Sequence, residues 1–167
     1  MAQPDCSISV GTRSQTVTLV QSVSGAPTPS VHYMQAKRLN TWVLALAPTL
    51  LHAELSATLD LRYDRGVVGS TGGAAAAMMQ RNISRGSWTL GYFKLLSSPR
   101  EGSNGVAVMI VNYEHAYTQW ANVTFDESAR EIDSVSGLPV AVEDDAPDIE
   151  GLQLLFAPGA GRLFTFK

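Results

Sequence analysis

The stretch GLQLLFAPGAGRLFTFK, residues 151–167, decides the fold. Two strand-like runs, 151–156 and 162–167, flank the turn sequence Pro158-Gly-Ala-Gly161. Short runs of apolar and β-branched residues separated by glycine and proline are typical of β-strands joined by a tight turn. We therefore predict that the chain ends in a β-hairpin.

Similar runs precede this hairpin throughout the second half of the chain. They predict six further strands, at residues 55–62, 88–96, 105–113, 119–126, 131–135 and 139–143. Short strands separated by regular turn signals are typical of an antiparallel β-sandwich of Greek-key type, here with seven or eight strands. Residues 106–111 are apolar on both faces and predict a central strand. Residues 66–79, rich in glycine and alanine, predict a mobile loop with a helical turn at 74–80.

The first part of the chain contains one long helical pattern. Residues 7–20 predict a small hairpin or one strand, residues 24–30 a loop, and Ser30 a helix cap. From residue 31, apolar side chains recur at helical spacing. They are Met34, Leu39, Trp42, Val43, Leu46, Leu50 and Leu51. We predict an amphipathic helix, kinked by Pro48, that packs on the sandwich and covers residues 106–111.

Composition narrows the possible partners and locations. The 167 residues are 45% hydrophobic, which suits a domain with a buried core. The formal net charge of -3 gives no electrostatic reason to expect nucleic acid or a membrane as a partner. The sequence as given predicts no transmembrane segment and no signal peptide. Cys6 is the only cysteine, which excludes an intramolecular disulfide and leaves the location open.

The densest group of aromatic residues lies between two predicted strands, in Tyr113-Glu-His-Ala-Tyr-Thr-Gln-Trp120. Aromatic rings flanked by polar groups can stack on a sugar and hydrogen-bond its hydroxyls. We predict Trp120, Tyr117 and Tyr113, and then Trp88, as carbohydrate-binding residues. The alternative is that these rings only fill the core and cover a loop.

One acidic segment, residues 143–150, is a weak candidate for a calcium site through Asp144, Asp145 and Asp148. The spacing of an EF-hand loop and its central glycine are missing, so a solvated acidic loop is the stronger interpretation. We expect no metal and no cofactor.

Catalysis by the chain alone has little support in the sequence. Glu114 and His115 are acid-base candidates, with Ser84, Ser87 or Ser97 as conceivable nucleophiles. However, adjacent residues on a strand point to opposite faces, and the chain lacks a Gly-x-Ser-x-Gly elbow. We expect no catalytic residue, although a small glycan or ester hydrolase stays open as an alternative.

The order of several motifs resembles the C-terminal region of β-galactosidase-like (β/α)8 glycoside hydrolases. The first three are Gly25-Ala-Pro-Thr-Pro29, Ala36-Lys-Arg-Leu-Asn40 and Leu44-Ala-Leu-Ala-Pro-Thr-Leu-Leu51. Met109-Ile-Val-Asn-Tyr113 and the final Pro-Gly-Ala-Gly-Arg-Leu-Phe hairpin are similar to their accessory sandwich. The resemblance implies that residues 1–54 correspond to the last βα unit of the barrel and residues 55–167 to the accessory domain.

The resemblance also implies that the catalytic machinery lies elsewhere. The two glutamates of those enzymes lie on earlier barrel strands, so no residue here matches them. We expect a non-catalytic, carbohydrate-associated accessory domain, with polysaccharide or oligosaccharide as partner, from a truncated enzyme. The other alternative is a structural module that forms homo-oligomers through the apolar face of the helix.

Overall fold

The computed structural model describes residues 6–10, 13–17, 20–23, 26–96, 105–125 and 129–166, with side chains from Pro29 onward except at His32. Ser97, one of the conceivable nucleophiles, lies outside these residues. The chain divides into two compact units, Met1–Leu44 and Ala45–Lys167, and the boundary falls inside the long helix. We describe each unit by itself.

The first unit begins with two hairpins. β1 (Cys6–Val10) pairs antiparallel with β2 (Arg13–Val17), which confirms the hairpin predicted at 7–20. β3 (Val20–Val23) pairs with β4 (Ala26–Pro29). The prediction of a loop at 24–30 is therefore wrong for the residues of β4. A two-stranded ladder has two free edges, so prolines that cannot donate a hydrogen bond are tolerated there.

The long helix α1 (Val31–Leu50) begins where the sequence predicts. The Ser30 hydroxyl accepts a hydrogen bond from the backbone nitrogen of Tyr33 at 3.2 Å, which is the geometry of an N-cap. Pro48 lies inside the helix, close to its end. Ala45 and Leu46, at the start of the second unit, are buried.

In its described residues, the second unit contains the end of α1, nine strands and one short helix. These strands and the short helix are β5 (Ala53–Arg62), β6 (Gly66–Thr71), α2 (Ala74–Arg81), β7 (Trp88–Leu95), β8 (Val106–Asn112), β9 (Gln119–Val123), β10 (Arg130–Ile132), β11 (Pro139–Ala141), β12 (Leu152–Phe156) and β13 (Gly161–Phe166). Seven strands form an antiparallel sheet in the order β11-β10-β13-β8-β7-β5-β6, and β9 pairs with β12 in a second, two-stranded sheet. The chain is thus mainly β and antiparallel, as predicted.

The hydrophobic core lies between these two sheets. Leu59 of β5, Leu90 of β7 and Ile110 of β8 share one buried cluster with residues of the small sheet. Trp88 and Phe156 meet edge to face in this cluster, with ring centroids 5.3 Å apart. The prediction of a terminal hairpin is wrong, because β12 pairs with β9 in the small sheet, whereas β13 pairs with β8 and β10 in the large one. The turn between β12 and β13 therefore joins the two sheets.

The central position of β8 is as expected, because it is the fourth of the seven strands. Val108 and Ile110 face the core cluster. On the opposite face, Ala107 of β8 and Leu163 of β13 are fully buried as well. This burial on both faces explains why residues 106–111 are apolar throughout.

The prediction of a loop at residues 66–79 is wrong for β6, which is a strand, whereas the helical turn predicted at 74–80 falls within the helix α2. β6 pairs with β5 at the edge of the large sheet. Gly72, with a φ of 79°, lies so close to Ala57 that an added Cβ would be 2.3 Å from the Ala57 Cβ. Small residues therefore allow this segment to pack closely against β5. A pattern of large apolar residues in the sequence does not predict packing of this kind.

Two helices are described, and neither has the length and hydropathy needed to cross a bilayer within the residues described.

Candidate functional site

Asn112, the last residue of β8, organises one end of the sandwich. It is 1% exposed, and its side-chain amide donates hydrogen bonds of 2.9 to 3.2 Å to three carbonyl oxygens. The three acceptors are Tyr117, Phe156 and Ala157. Its Oδ1 accepts from the backbone nitrogen of Glu114 at 2.9 Å and from Nε2 of Gln119. A buried amide that is satisfied on all sides fixes the loop around it.

Gln119 and Ser87 extend this network to two more strand ends. Gln119 accepts from the backbone nitrogen of Ser87 at 3.0 Å and donates to its carbonyl oxygen at 3.2 Å. The same carbonyl accepts from the nitrogen of Tyr113 at 3.0 Å, and the Ser87 hydroxyl accepts from the nitrogen of Tyr63 at 3.3 Å. The backbones of Tyr63 and Tyr113 are therefore held beside each other although they are 50 positions apart in sequence.

Four exposed aromatic residues surround this network, and we call them, together with Arg62 and Arg85, the aromatic end. Their exposed fractions are 62% for Tyr63, 55% for Tyr113, 69% for Tyr117 and 49% for Trp120. Side chains of this size usually bury most of their surface. The aromatic end therefore offers several flat apolar faces to solvent on a backbone that is held rigidly.

An arginine guanidinium group lies over each of two of these rings. The Cζ atom of Arg62 lies 3.3 Å from the ring centroid of Tyr113, and that of Arg85 lies 4.8 Å from the ring centroid of Tyr63. Arg62 and Arg85 also donate to backbone carbonyls, and neither forms an ion pair with a carboxylate among the described residues. The stacked guanidinium holds its ring and keeps further N–H donors at the surface.

Trp120 reaches the surface through strand alternation in β9. Its neighbour Ala121 is in the core cluster, so Trp120 points to the outer face of the small sheet. Leu155 of β12 is its cross-strand partner and is exposed as well. The strand thus presents Trp120 on a flat, partly apolar surface.

Trp88 does not share this position. It is 0% exposed, its Nε1 donates to the carbonyl of Ser84 at 3.2 Å, and its ring packs against Phe156. We therefore remove Trp88 from the predicted carbohydrate-binding residues, because a ring without accessible surface cannot stack on a sugar. The strand β7 places it on the inner face, which the sequence pattern alone does not distinguish from the outer one.

The acidic segment 143–150 is used in hydrogen bonds rather than gathered around a cation. Asp144 accepts from the backbone nitrogens of Ala146 and Gln153, and Asp145 accepts from that of Leu155 at 2.7 Å. Asp148, the third candidate, makes no cluster with them, and the described residues contain no group of three potential metal ligands. The carboxylates instead cover the free edge of β12.

Arg162 of β13 joins this segment to the large sheet. It donates to both carboxylate oxygens of Glu131 and, at 2.9 Å, to Asp145. Burial lowers the pKa of Arg162, but the hydrogen bonds and charges of Glu131 and Asp145 outweigh it, so the pKa is raised. The guanidinium therefore stays charged and ties β10, β13 and the acidic segment together.

The residues considered for catalysis do not assemble into a reactive group. His115 is exposed, and Glu114 is half-buried in the loop that follows β8. The hydroxyls of Ser84 and Ser87 each accept a hydrogen bond from a backbone nitrogen, of Asn122 and Tyr63 respectively. Both serines thus serve the backbone of the sandwich.

Sequence reasoning found the rings of the 113–120 segment but not Tyr63, Arg62 or Arg85. The available signal was topological. β7 lies between β5 and β8 and is antiparallel to both, so β5 and β8 run in the same direction. The end of β5 and the end of β8 therefore lie on the same side of the sheet.

Comparison with known proteins adds no relative to this description, since no protein-family model, curated protein or solved structure matches the chain significantly.

Proposed function

We propose that this chain is a non-catalytic, carbohydrate-associated module whose aromatic end binds polysaccharide or oligosaccharide. Tyr113, Tyr117 and Trp120 stack on sugar rings, and Tyr63 extends the surface. The guanidinium groups of Arg62 and Arg85, with the loop's polar side chains, hydrogen-bond the hydroxyls.

The observation that carries the proposal is the exposure of four rings on a backbone fixed by Asn112, Gln119 and Ser87. Binding to a flexible surface loses free energy because side chains and loops must be ordered. At the aromatic end folding already orders the backbone, so binding loses less free energy. Two of the rings are also held by arginine side chains. Flat, rigid, partly polar rings are the side chains that stack on the apolar face of a sugar.

The order of sequence motifs supports the same class of function. The Pro-Thr motif of β4, the Lys-Arg-Leu-Asn motif of α1 and the Pro-Gly-Ala-Gly-Arg-Leu-Phe motif that leads into β13 occur in an order that resembles that of β-galactosidase-like glycoside hydrolases. A fold does not by itself imply a function, so the proposal depends on the aromatic end.

The test is affinity electrophoresis of the whole chain in gels that contain a panel of soluble polysaccharides. We expect retardation by at least one of them, with Trp120→Ala and Tyr117→Ala each weakening the affinity roughly tenfold, or about 1.4 kcal/mol. Tyr33→Ala is the matched control, because Tyr33 is an exposed tyrosine of α1 and not a member of the aromatic end.

Mobility unchanged by every polysaccharide would contradict the proposed function. Equal retardation of the wild type and both variants would contradict the assignment to the aromatic end.

A second candidate, self-association through α1, has its own supporting observation. Leu39 and Val43, one helical turn apart, are both more than half exposed. An apolar helix face in solvent favours a second copy as partner. Sedimentation at increasing concentration is expected to show a dimer that Leu39→Glu and Val43→Glu abolish, and a monomer at every concentration would remove this candidate.

A further inference from the structure

An apolar cavity of about 410 Å³ opens at the other end of β7 and β8. It lies between α2 and the core face of these strands. Its walls include Met79, Leu90, Tyr92, Val106, Phe125 and Phe166. At the aromatic end of the same strands, Trp88 and Phe156 fill the space between the sheets, so the cavity marks a local absence of side-chain volume.

The cavity is open to solvent on one side, and its size matches that of a small-molecule site. Protein interiors pack about as densely as organic crystals, and their usual voids are little larger than a water molecule. An engineered cavity of about 150 Å³ already takes up benzene. Small-molecule sites occupy about 300 to 1,000 Å³, and this cavity falls within that range.

The lining defines the chemistry of the occupant. It contains no charged side chain, which disfavours an ionised ligand. The polar groups are the Tyr92 hydroxyl, the Asn82 amide and the Thr124 hydroxyl. The side-chain polar groups of Tyr92 and Asn82 are half-buried and form no hydrogen bond in the described part of the chain, whereas Thr124 is exposed. They are therefore available to a hydroxyl or carbonyl group on an otherwise apolar molecule.

The segments that adjoin the walls in sequence differ from the walls in composition. Residues 97–104 precede Val106, and residues 126–128 follow Phe125. Apart from Pro99, neither segment contains an aliphatic or aromatic side chain, and both contain charged residues. Placing such residues against apolar walls would cost the hydration free energy of their charges.

We propose that this cavity is a binding site for a neutral small molecule with an apolar body and a hydroxyl or carbonyl group. The apolar body packs against Leu90, Val106 and Phe166, and its polar group bonds to Tyr92 or Asn82. The site is independent of the aromatic end, because the two share no residue.

The experiment titrates the chain with the neutral fluorophore N-phenylnaphthylamine and then displaces it with decanol. We expect saturable fluorescence enhancement and competitive displacement. Val106→Phe fills the cavity and is expected to weaken binding at least about tenfold. Val111→Phe is the matched control, because Val111 is also half-buried on β8 but lies on the opposite face.

Thermal unfolding monitors whether each variant is folded. Should Val106→Phe fail to fold, Met78→Trp obstructs the cavity from a more exposed position and is expected to weaken binding in the same direction. The proposal is overturned by a wild-type chain that shows no saturable enhancement. Equal weakening by Val106→Phe and Val111→Phe, or none by a folded filling variant, overturns it as well.

Discussion

The two ends of β7 and β8 differ in how tightly their side chains pack and in how their polar groups are hydrogen-bonded. At the aromatic end, Trp88 fills the space between the sheets, and the buried amide of Asn112 has a partner for each of its polar atoms. At the cavity end, the described side chains leave a partly open cavity beside the core face of these strands, and the side-chain polar groups of Tyr92 and Asn82 form no hydrogen bond among the described residues.

This difference separates two ways of preparing a binding site. The aromatic end is closed inside and presents rings outside, so a ligand adds to a finished surface. The cavity end is open, so a ligand would complete the packing and replace solvent at the polar side chains of the lining. Substitutions at the two ends should therefore differ in both sign and size of their effect on stability.

The largest effect is expected from Asn112→Ala. The substitution removes the partner of three carbonyl oxygens and of Gln119, so we expect the free energy of unfolding to fall by about 3–5 kcal/mol. Urea denaturation measures it. Asn122→Ala is the control, since the described hydrogen bonds of that side chain involve only the Glu150 carbonyl, and about 1 kcal/mol is expected. Similar losses in the two variants would show that Asn112 does not organise the aromatic end.

A smaller contrast is expected between Gly86→Ala and Val106→Ile. A Cβ at Gly86 would lie 2.2 Å from Nε1 of the buried Trp88, so this methyl group should destabilise the chain by about 2–4 kcal/mol. The added methylene at Val106 enters the cavity, and the variant should be as stable as the wild type or more stable by about 1 kcal/mol. Differential scanning calorimetry compares the two. Equal destabilisation would mean that both ends are packed alike.

The smallest effect concerns the turn that contains Asp133 and Ser136, which belongs to neither end of β7 and β8. A hydrogen bond from the Ser136 hydroxyl, with others from the backbone nitrogens of Ser136 and Val135, holds the pKa of Asp133 below its usual value of 3.8. Because the pKa is lower in the folded chain, this carboxylate stabilises the fold above the usual pKa. The contribution is lost as the pH falls through the folded pKa.

NMR titration of the Asp133 carboxyl carbon is expected to give a midpoint below 3.8 in the wild type. In Ser136→Ala the midpoint should move towards 3.8, because the largest cause of the shift is removed. An unchanged midpoint in that variant would assign the shift to the backbone alone.

Much of the fold could be predicted because strand alternation and turn residues are local signals. The two terminal strands, the central position of β8 and the Ser30 cap are visible in short windows of sequence. The pairing of β12 with β9 and of β13 with β8, instead of a hairpin, is not. β6 is not predicted, and α2 is predicted only as a helical turn at 74–80, because Gly72 and Ala76 contribute through small size and close approach rather than through apolar periodicity. Period-two patterns carry no information on that kind of packing.

The candidate site was predictable only within one segment. Tyr113, Tyr117 and Trp120 lie within eight residues of sequence, whereas Tyr63 joins them through the neighbouring positions of β5, β7 and β8. Trp88 was assigned to the surface because alternation does not say which face is inside. The cavity has no signature in the sequence, because it is a deficit of side-chain volume between segments far apart in the chain.

The most direct test of the account is one NMR experiment on a ¹⁵N-labelled chain, titrated separately with a polysaccharide-derived oligosaccharide and with decanol. We predict that the oligosaccharide shifts the amide signals around Tyr113, Tyr117 and Trp120, including the Trp120 side chain. Decanol should shift those around Tyr92, Val106 and Phe166. Shifts by both ligands at the same residues, or by neither ligand at any, would contradict the division of the sandwich into a finished surface and an open interior.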